Sequence, residues 1–518
     1  MAFCGLTAWF RAVVDPTRDQ QTKRTRNRQF RTEERLFHKT HPEYEETSIL
    51  DQLRKKEYPT LDKEHHIYLD YTGSGLYSTS QLQAHFELLR SNVFGNPHSV
   101  NPTSSAITDL IEKTRSAVLR FFQASPDEYT VIFTSNASHA IKLVGEAYPF
   151  ATTSRGELLL CQDNHNSVLG IREFARDKGA TIKYVPITGP ELRVDETQLQ
   201  TMLVAPKDGI GSRLFAYPAQ SNFTGVQHPL EWIALAQEQG WDVLLDAASF
   251  VPTNILDLSC WHPDFVPISF YKMFGYPSGI GCLIARKEAL TRLNRPWFAG
   301  GTVWGSSVEA DNHVLLNGAG GFEDGTLNFL TLPAVHIGLN HLADIGICTA
   351  HIRASCLTNW LLQSLGSLRH SNGKPVATIY GPQTTEQRGG SIAFNFIDPS
   401  GVIVDGRIVD QRAKSINLSL RTGCFCNPGA GEAAFRLSSV AIATGFAGHA
   451  NQGDKGKGYI QKSFDDFLDD IGMPSGGGVR VSVGLVSNFA DVYGFIQFAR
   501  TFIDNQPPES NLPQRLHC

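Results

Sequence analysis

The chain has 518 residues, of which 41% are hydrophobic and 19% charged, and its net charge is −5. This composition excludes general disorder and provides no strong field that would attract nucleic acid or an anionic membrane. The length exceeds the size at which one hydrophobic core usually stops growing, so we expect two domains and a terminal extension. Small-molecule chemistry is therefore the leading expectation.

Nine cysteines are spread along the chain without the dense spacing of a disulfide framework, so most should be reduced thiols. The apolar runs are far shorter than the roughly 20 residues that a membrane-spanning helix needs. The apolar opening MAFCGLTAWFRAVV lacks a clear cleavage site. We therefore expect a cytoplasmic protein without a membrane anchor, with mitochondrial import as the weaker alternative.

The first predicted region, residues 1–66, is an N-terminal extension that we expect to be partly flexible. Residues 18–35 contain seven Lys or Arg against three acidic residues and few apolar positions. This pattern is typical of a solvated arm or an exposed helix.

From residue 67 onwards, short apolar runs alternate with helical periods, as in HIYLDYTG, YTVIFTSNASHAIKLVGEAY and WDVLLDAASF. Strands separated by helices predict an α/β fold with a mostly parallel sheet. We assign residues 67–334 to this large domain. Residues 335–518 are predicted to form a smaller C-terminal α/β domain, which two Gly-rich stretches interrupt.

Polar residues follow the buried runs where strands are predicted to end: Ser135 and Asn136, His165, Asn222, Asp246 and Lys272. Ligands of open α/β sheets bind beyond the carboxyl ends of the strands. We therefore expect these residues to lie close together despite their separation in sequence.

Asp246 ends the apolar run VLLD, and Lys272 follows the apolar run PISF. A pyridoxal 5'-phosphate (PLP) enzyme needs a carboxylate beside the pyridine nitrogen and a lysine that holds the cofactor as a Schiff base. Taken alone, Asp246 could be a helix cap and Lys272 a surface lysine. Their combination at predicted strand ends favours a PLP site.

Seven blocks carry a family resemblance: FTSNASHAIKLVGEAYPF, DNHNSVLGIR, YPAQSNFTG, LLDAASFVPTN, SFYKMFGYPSGIG, FEDGTLNFL and LRTGCFCNPGAG. In this order they resemble the class V aminotransferase group and, within it, the cysteine desulfurase portion of eukaryotic molybdenum cofactor sulfurases. The resemblance extends from Tyr68 to Phe502. It implies a PLP enzyme of fold type I, with a seven-stranded sheet in the large domain, and a homodimer.

The resemblance also implies roles for single residues. Ala137 and Ser138 would hold the cofactor phosphate at a helix N-terminus, and Ser269 would add a hydroxyl. His165 would stack on the pyridine ring and take part in catalysis, and Asn222 would bind the phenolic oxygen. Without the family match, Ala137 and Ser138 could belong to an ordinary helix N-cap, His165 could be a structural histidine, and Asn222 could lie in a turn.

Thr326 would reach the phosphate of the neighbouring subunit. Ser249 and Tyr271 depart from the glutamine and histidine of simpler cysteine desulfurases, and the sequence shares both departures with the sulfurase branch.

The block SLRTGCFCNPGAG places Cys424 and Cys426 shortly after Arg421. A single Cys-x-Cys pair is weak evidence for zinc, so we predict no metal site and favour a nucleophilic thiolate. The resemblance assigns the persulfide to Cys426 and the binding of the substrate α-carboxylate to Arg480, with Arg421 nearby. Two packed loop thiols would be the ordinary structural alternative.

These residues predict an enzyme that takes sulfur from L-cysteine onto Cys426 and releases alanine. Molybdenum cofactor, or its carrier protein on another chain, is one candidate acceptor, and a biosynthetic acceptor is another. A C–S lyase acting on a cysteine conjugate is the alternative enzyme, and a non-catalytic sulfur carrier or scaffold is the alternative of another class. Gly431 replaces a cysteine usual in the family, and the residues after Arg480 are too few for the cofactor-receiving domain of full-length sulfurases.

Overall fold

The computed structural model describes residues 16–150, 156–204, 211–449, 464–506, 512 and 515. The chain divides into two compact units, with the boundary after Glu45. The first unit contains the helix Pro16–Thr40, which covers the basic stretch that was predicted to be an arm or an exposed helix.

The centre of the second unit is a seven-stranded sheet, which confirms the predicted α/β fold. Its strands lie in the spatial order Tyr129–Thr134, Gly281–Arg286, Phe265–Ser269, Asp242–Asp246, Arg213–Pro218, Glu157–Cys161 and Thr181–Val185. Five strands run parallel to their neighbours, and Gly281–Arg286 pairs antiparallel on both sides. The sheet is therefore mostly parallel, as predicted.

Six of the seven strands are buried on both faces, which explains their nearly continuous apolar sequences, whereas the edge strand Thr181–Val185 is partly exposed. Leu244 and Leu245 are adjacent in one strand and belong to the cores on opposite sides of the sheet, because successive side chains of a strand point to opposite faces. Each such side chain contributes roughly 1.5–3 kcal/mol when it is fully buried. This core fixes the strand ends that carry the predicted site residues.

A smaller antiparallel sheet lies in the C-terminal part of the chain. Its strands occur in the order Ala377–Tyr380, Ser391–Phe396, Gly478–Ser482 and Arg421–Gly423. The last two strands pair with Arg421 opposite Arg480. This register brings two cationic residues together although they are 59 positions apart in sequence.

Helices surround both sheets. In chain order the second unit contains Ile49–Glu57, Pro59–Lys63, Thr79–Arg90, Pro102–Phe121, Ala137–Ala147, Asn166–Leu169, Ile171–Asp177, Glu196–Leu203, Trp232–Glu238, Phe270–Phe274, Lys287–Thr291, Pro333–Ile345, Ile347–Ser367, Gly406–Ser415, Pro428–Phe435, Ser439–His449, Phe464–Asp470 and Phe489–Arg500.

Residues before the large sheet also contact the C-terminal part. The short strand Ile67–Tyr68 pairs with Leu418–Ser419, and Arg54 forms a buried ion pair with Asp491. Among the described residues, no helix is long and apolar enough to cross a membrane. The same residues contain no group of three or more His, Cys, Asp or Glu side chains that could bind a metal ion.

Candidate active site

A cavity of about 340 Å³ opens at the carboxyl ends of the parallel strands. The predicted site residues that line it are Ala137, Ser138, His165, Asn222, Asp246, Ser269 and Lys272. The structure therefore brings together residues from five separate sequence blocks, at the edge of the sheet where α/β proteins bind ligands.

Lys272 is partly buried in the short helix Phe270–Phe274, directly after a strand of the large sheet. Burial lowers the pKa of its amine, and the neighbouring Arg480 and Arg421 lower it further, while Asp246 opposes them. A lowered pKa leaves more of the amine unprotonated near neutral pH. Lys272 thus has the environment of a nucleophilic amine.

Asp246 is the last residue of the strand Asp242–Asp246 and is 9% exposed. One carboxylate oxygen, Oδ1, accepts a hydrogen bond of 3.1 Å from the Ala248 N–H. The carboxylate faces the same cavity as Lys272, which is the arrangement that a protonated pyridine nitrogen requires.

The start of the helix Ala137–Ala147 forms one wall of the cavity. Asn136 caps this helix by accepting a hydrogen bond of 2.9 Å from the His139 N–H. The first N–H groups of a helix lack acceptors within the helix and favour an anion. A Cβ on Gly281 would lie 2.7 Å from the Asn136 carbonyl carbon, so only glycine allows this close approach of strand and helix start.

Hydroxyl groups extend this wall toward His165. The Ser138 and Ser167 hydroxyls lie 2.6 Å apart, and the Ser167 N–H donates to Nδ1 of His165 at 3.1 Å. Burial, together with the charge of Lys272, lowers the pKa of His165 to about 4. The imidazole is therefore neutral at neutral pH, with Nδ1 as an acceptor.

The Asn222 side chain joins the cavity to the loop that carries the cysteine pair. Its Nδ2 donates a hydrogen bond of 2.7 Å to the Phe425 carbonyl, and its Oδ1 accepts one of 2.9 Å from Asn427. The predicted cofactor-binding amide and the predicted nucleophile loop are thus in direct contact.

Cys426 has a free, partly exposed thiol on this loop. Its carbonyl accepts a hydrogen bond of 2.7 Å from the Asn166 N–H, at the start of the helix that follows His165. Phe425 and Cys426 both have left-handed backbone conformations, with φ of 55° and 53°. Consecutive left-handed residues other than glycine are strained, and such strain persists where surrounding contacts hold it.

The other member of the pair, Cys424, differs from Cys426 because it is disulfide-bonded. Of the two, only Cys426 therefore presents a free thiol in this structure.

Arg480 and Arg421 share one carboxylate, that of Asp70. Nη2 of Arg480 lies 3.1 Å from Oδ1 of Asp70, and Nη2 of Arg421 lies 2.6 Å from its Oδ2. Arg480 is buried and stacks over the Phe425 ring, while its Nε has no hydrogen-bond partner among the residues that the structure describes. Burial lowers the pKa of Arg480 to about 10. A buried guanidinium with a spare donor is suited to bind a carboxylate.

Thr326 is exposed and does not line the cavity of its own chain. Its predicted contact with the phosphate of a neighbouring subunit stays a prediction, as do the individual roles of the other site residues. Ser249 and Tyr271, the two departures from simpler desulfurases, both line the cavity.

Sequence reasoning missed three residues that organise the site: Asp70, Ser167 and Asn427. Ser167 follows His165 by two positions, so the strand-end argument could have included it. Asp70 lies in the block HIYLDYTG, where an acid after an apolar run gave the same signal as Asp246. Asn427 precedes a proline, which is the pattern of a helix start.

The cavity residues fit PLP in kind and position. They supply a lysine of lowered pKa, a buried carboxylate, a helix start for a phosphate and a neutral imidazole. The Asn222 amide retains a second N–H beyond the one it donates to Phe425.

The family model for aminotransferase class-V matches residues 67–440. The chain is 36% identical to the molybdenum cofactor sulfurase of Solanum lycopersicum over 482 residues, which cover 87% of this chain and 57% of that protein. It is also 36% identical to the Homo sapiens molybdenum cofactor sulfurase, with coverage of 87% and 51%. The chain thus spans little more than half the length of these relatives.

Solved structures share the fold at lower sequence identity. The apo cysteine desulfurase from Thermococcus onnurineus NA1 has a TM-score of 0.70 and 21% identity, with coverage of 87% of this chain and 97% of that chain. The cystine C–S lyase C-DES, in complex with its product cysteine persulfide, has a TM-score of 0.62 and 17% identity, with coverage of 86% and 100%.

The resemblance that the sequence motifs predicted is confirmed by the family match and by the sulfurase relatives. The fold and the PLP-type cavity agree with it. The chain belongs to the class-V aminotransferase family, whose cofactor is pyridoxal 5'-phosphate.

Proposed function

We propose that this protein is a PLP-dependent cysteine desulfurase that takes sulfur from L-cysteine as a persulfide on Cys426. The observation that carries this proposal is the hydrogen bond between the loop of the free Cys426 thiol and a residue that lines the PLP-type cavity. Asn222 lines the cavity and also binds the carbonyl of Phe425, the residue before the thiol.

When bound, the cofactor supplies an electron sink for the substrate α-carbon. Arg480 would bind the substrate carboxylate with its spare donor, and Asp246 would keep the pyridine nitrogen protonated. The amine of Lys272 would hold the cofactor and is suited to move the proton at the α-carbon, because its pKa is lowered.

The Cys426 thiolate then attacks the sulfur of the substrate. A new S–S bond forms, the Cβ–S bond breaks, and the electron pair of the broken bond stays on the substrate carbon. That carbon takes up a proton, so the products are a persulfide on Cys426 and alanine. This step needs no external oxidant or reductant.

The test is to incubate the purified protein with L-cysteine and to measure alanine, pyruvate and protein-bound persulfide in the same sample. Desulfuration predicts alanine together with persulfide. Pyruvate without persulfide would identify a C–S lyase instead. A protein without visible cofactor absorbance and without product would be a scaffold.

We also propose that the sulfur is passed on to molybdenum cofactor, either free or on a carrier protein. The support is the similarity to sulfurases of that name over 87% of this chain. Persulfide-loaded protein, freed of cysteine, should transfer sulfur to added molybdenum cofactor. Transfer to other thiol acceptors at the same rate would contradict this assignment.

A homodimer is part of the proposal. Large apolar side chains are exposed on the single chain, including Phe86 at 61%, Trp304 at 80% and Val308 at 98%. Exposed apolar surface of this kind marks interaction sites, and dimers with two-fold symmetry are the commonest assembly. A catalytically active monomer in sedimentation would contradict it.

For the location in the cell we propose the cytoplasm. Residues 1–15, which include the apolar opening MAFCGLTAWFRAVV, lie outside the described residues. Import of the full chain into isolated mitochondria would overturn this proposal.

A further inference from the structure

The side chain of Asn427 is one of the groups that attach the loop around Cys426 to the ends of the large-sheet strands. This side chain is fully buried. Its Nδ2 donates one hydrogen bond of 2.7 Å to the Asp163 carbonyl and another of 2.9 Å to Oδ1 of Asn222. Its Oδ1 accepts a bond of 3.1 Å from the Ala430 N–H and so caps the next helix. Both amide hydrogens and the amide oxygen are thus in use.

The two residues that Asn427 binds belong to the cofactor side of the site. Asp163 lies in the segment that leads from the strand Glu157–Cys161 to His165, and its carboxylate forms a buried pair with His228 at 2.9 Å. Asn222 lines the cavity. Asn427 therefore bridges two strand ends of the large sheet with the loop of the smaller domain.

The backbone bonds on either side reinforce this bridge. The Asn166 N–H donates to the Cys426 carbonyl, and the Asn222 amide donates to the Phe425 carbonyl, both at 2.7 Å. These contacts hold Phe425 and Cys426 in their left-handed conformations. A Cβ on Gly429 would lie 2.0 Å from the Gln162 carbonyl oxygen, so the loop is packed closely against the same segment.

We propose that Asn427 is a positioning residue that fixes the Cys426 thiol and the Asn222 amide in one geometry. The inference rests on the proposed function for its effect on sulfur transfer. The effect of Asn427 on the conformation of the Cys426 loop does not depend on the proposed function.

The amide and the helix cap can be separated by substitution. Asp and Ser are N-cap residues as good as Asn, so Asn427→Asp and Asn427→Ser keep the acceptor for Ala430. Neither can donate two hydrogen bonds to Asp163 and Asn222. Asn427→Ala removes both the cap and the bridge.

A control for the helix cap alone is available at Asn101, which unlike the buried Asn427 is exposed. It caps the helix Pro102–Phe121 by accepting a bond of 3.0 Å from the Ser104 N–H, and like Asn427 it precedes a proline. It does not line the cavity. Asn101→Ala and Asn101→Asp therefore report the effect of altering a cap alone.

Single-turnover persulfide formation, cofactor content and the rate of Cys426 alkylation by iodoacetamide are measured for each variant. We expect Asn427→Asp and Asn427→Ser to retain PLP within about twofold and to keep the KM for cysteine. Their rate of persulfide formation should fall roughly 100-fold, the usual consequence of misplacing a reacting group by about 1 Å. The alkylation rate should rise, because the loop is released.

Wild-type rates of persulfide formation in Asn427→Asp and Asn427→Ser would overturn the inference, since the residue would then be only a cap. Loss of PLP in proportion to activity would also overturn it. If the wild-type protein forms no persulfide at all, the proposed function fails. The rates of Cys426 alkylation then test whether Asn427 positions the loop. Faster alkylation in the Asn427 variants than in the Asn101 variants supports the inference, and equal rates contradict it.

Discussion

Two halves of the active site are built in different ways. The cofactor half consists of Lys272, Asp246 and His165, which follow strands of the large sheet. The sulfur half consists of Cys426 and Arg480, which come from the C-terminal part of the chain. The first half depends on the apolar core beneath it, whereas the second is held by hydrogen bonds and ion pairs in addition to the packing of Phe425.

This difference has an energetic consequence. Each buried aliphatic side chain under the sheet contributes roughly 1.5–3 kcal/mol, and many act together. A hydrogen bond in the sulfur half contributes only about 1 kcal/mol net, but leaving its buried partner unsatisfied costs about 1–3 kcal/mol. Single polar substitutions should therefore disturb sulfur transfer while the cofactor stays bound.

The largest effect is expected for Lys272→Ala in the cofactor half. Because this lysine is predicted to hold PLP covalently, the variant should lose the visible absorbance of the cofactor and all product formation. In the wild-type protein, borohydride reduction and peptide mapping should find the pyridoxyl group on Lys272. A pyridoxyl group on another lysine would contradict the assignment of this half.

Cys426→Ser should remove the function of the sulfur half alone. We expect no persulfide and no alanine from cysteine, while the cofactor spectrum and its change on adding cysteine persist, because the thiolate acts only in the later S–S bond formation. Cys424→Ser, which removes the disulfide of Cys424 and leaves the Cys426 thiol in place, is the comparison and should be milder. Wild-type alanine production by Cys426→Ser, together with its loss in Cys424→Ser, would move the nucleophile to Cys424.

Asp70→Asn should weaken substrate binding without loss of cofactor. The carboxylate holds both Arg480 and Arg421, and charge-assisted bonds of this kind are worth about 1.5–3 kcal/mol. We therefore expect kcat/KM for cysteine to fall roughly 10- to 100-fold, mainly through KM. Asp242→Asn, at the opposite end of the strand that delivers Asp246, is the control. An unchanged KM in Asp70→Asn would show that the carboxylate does not orient Arg480.

Thr326→Ala tests whether the cofactor half needs a second chain. The predicted contact of Thr326 with the phosphate in the neighbouring subunit means that the variant should bind PLP several-fold more weakly. The melting temperature should stay the same, because Thr326 is exposed and does not line the cavity of its own chain. Equilibrium dialysis of PLP together with a thermal melt measures both. Unaltered PLP affinity would remove Thr326 from the site.

The smallest effect concerns the pH dependence of stability. The pKa of His165 is lowered from 6.5 to about 4 in the folded protein, so between these values the unfolded chain binds a proton that the folded chain does not. The free energy of unfolding should therefore fall as the pH drops from 6.5 to 4. In His165→Asn, the free energy of unfolding measured by chemical denaturation should fall less steeply over this pH range. The same dependence on pH in the variant and the wild-type protein would contradict the lowered pKa.

The sequence predicted the cofactor half better than the sulfur half for a physical reason. Asp246 and Lys272 follow apolar runs, and the ends of parallel strands converge wherever each strand lies in the sheet. The seven-stranded sheet was predictable from the same runs together with the family motifs.

The contacts of the sulfur half could not be predicted in this way. Asp70 meets Arg480 across 410 positions, and Asn427 meets Asp163 across 264 positions. Both contacts depend on how the smaller sheet and its loop dock, which local patterns do not encode. Asn427 gave only the local signal of a helix cap, and its bridging role became visible in three dimensions.

The most direct test of the central claim is to locate the sulfur after one turnover. Stoichiometric L-cysteine is added to the purified protein, the reaction is stopped, and peptides are mapped for persulfide while alanine is quantified. We expect one persulfide on Cys426 for each alanine released. Alanine without persulfide, or persulfide on a different cysteine, would contradict it.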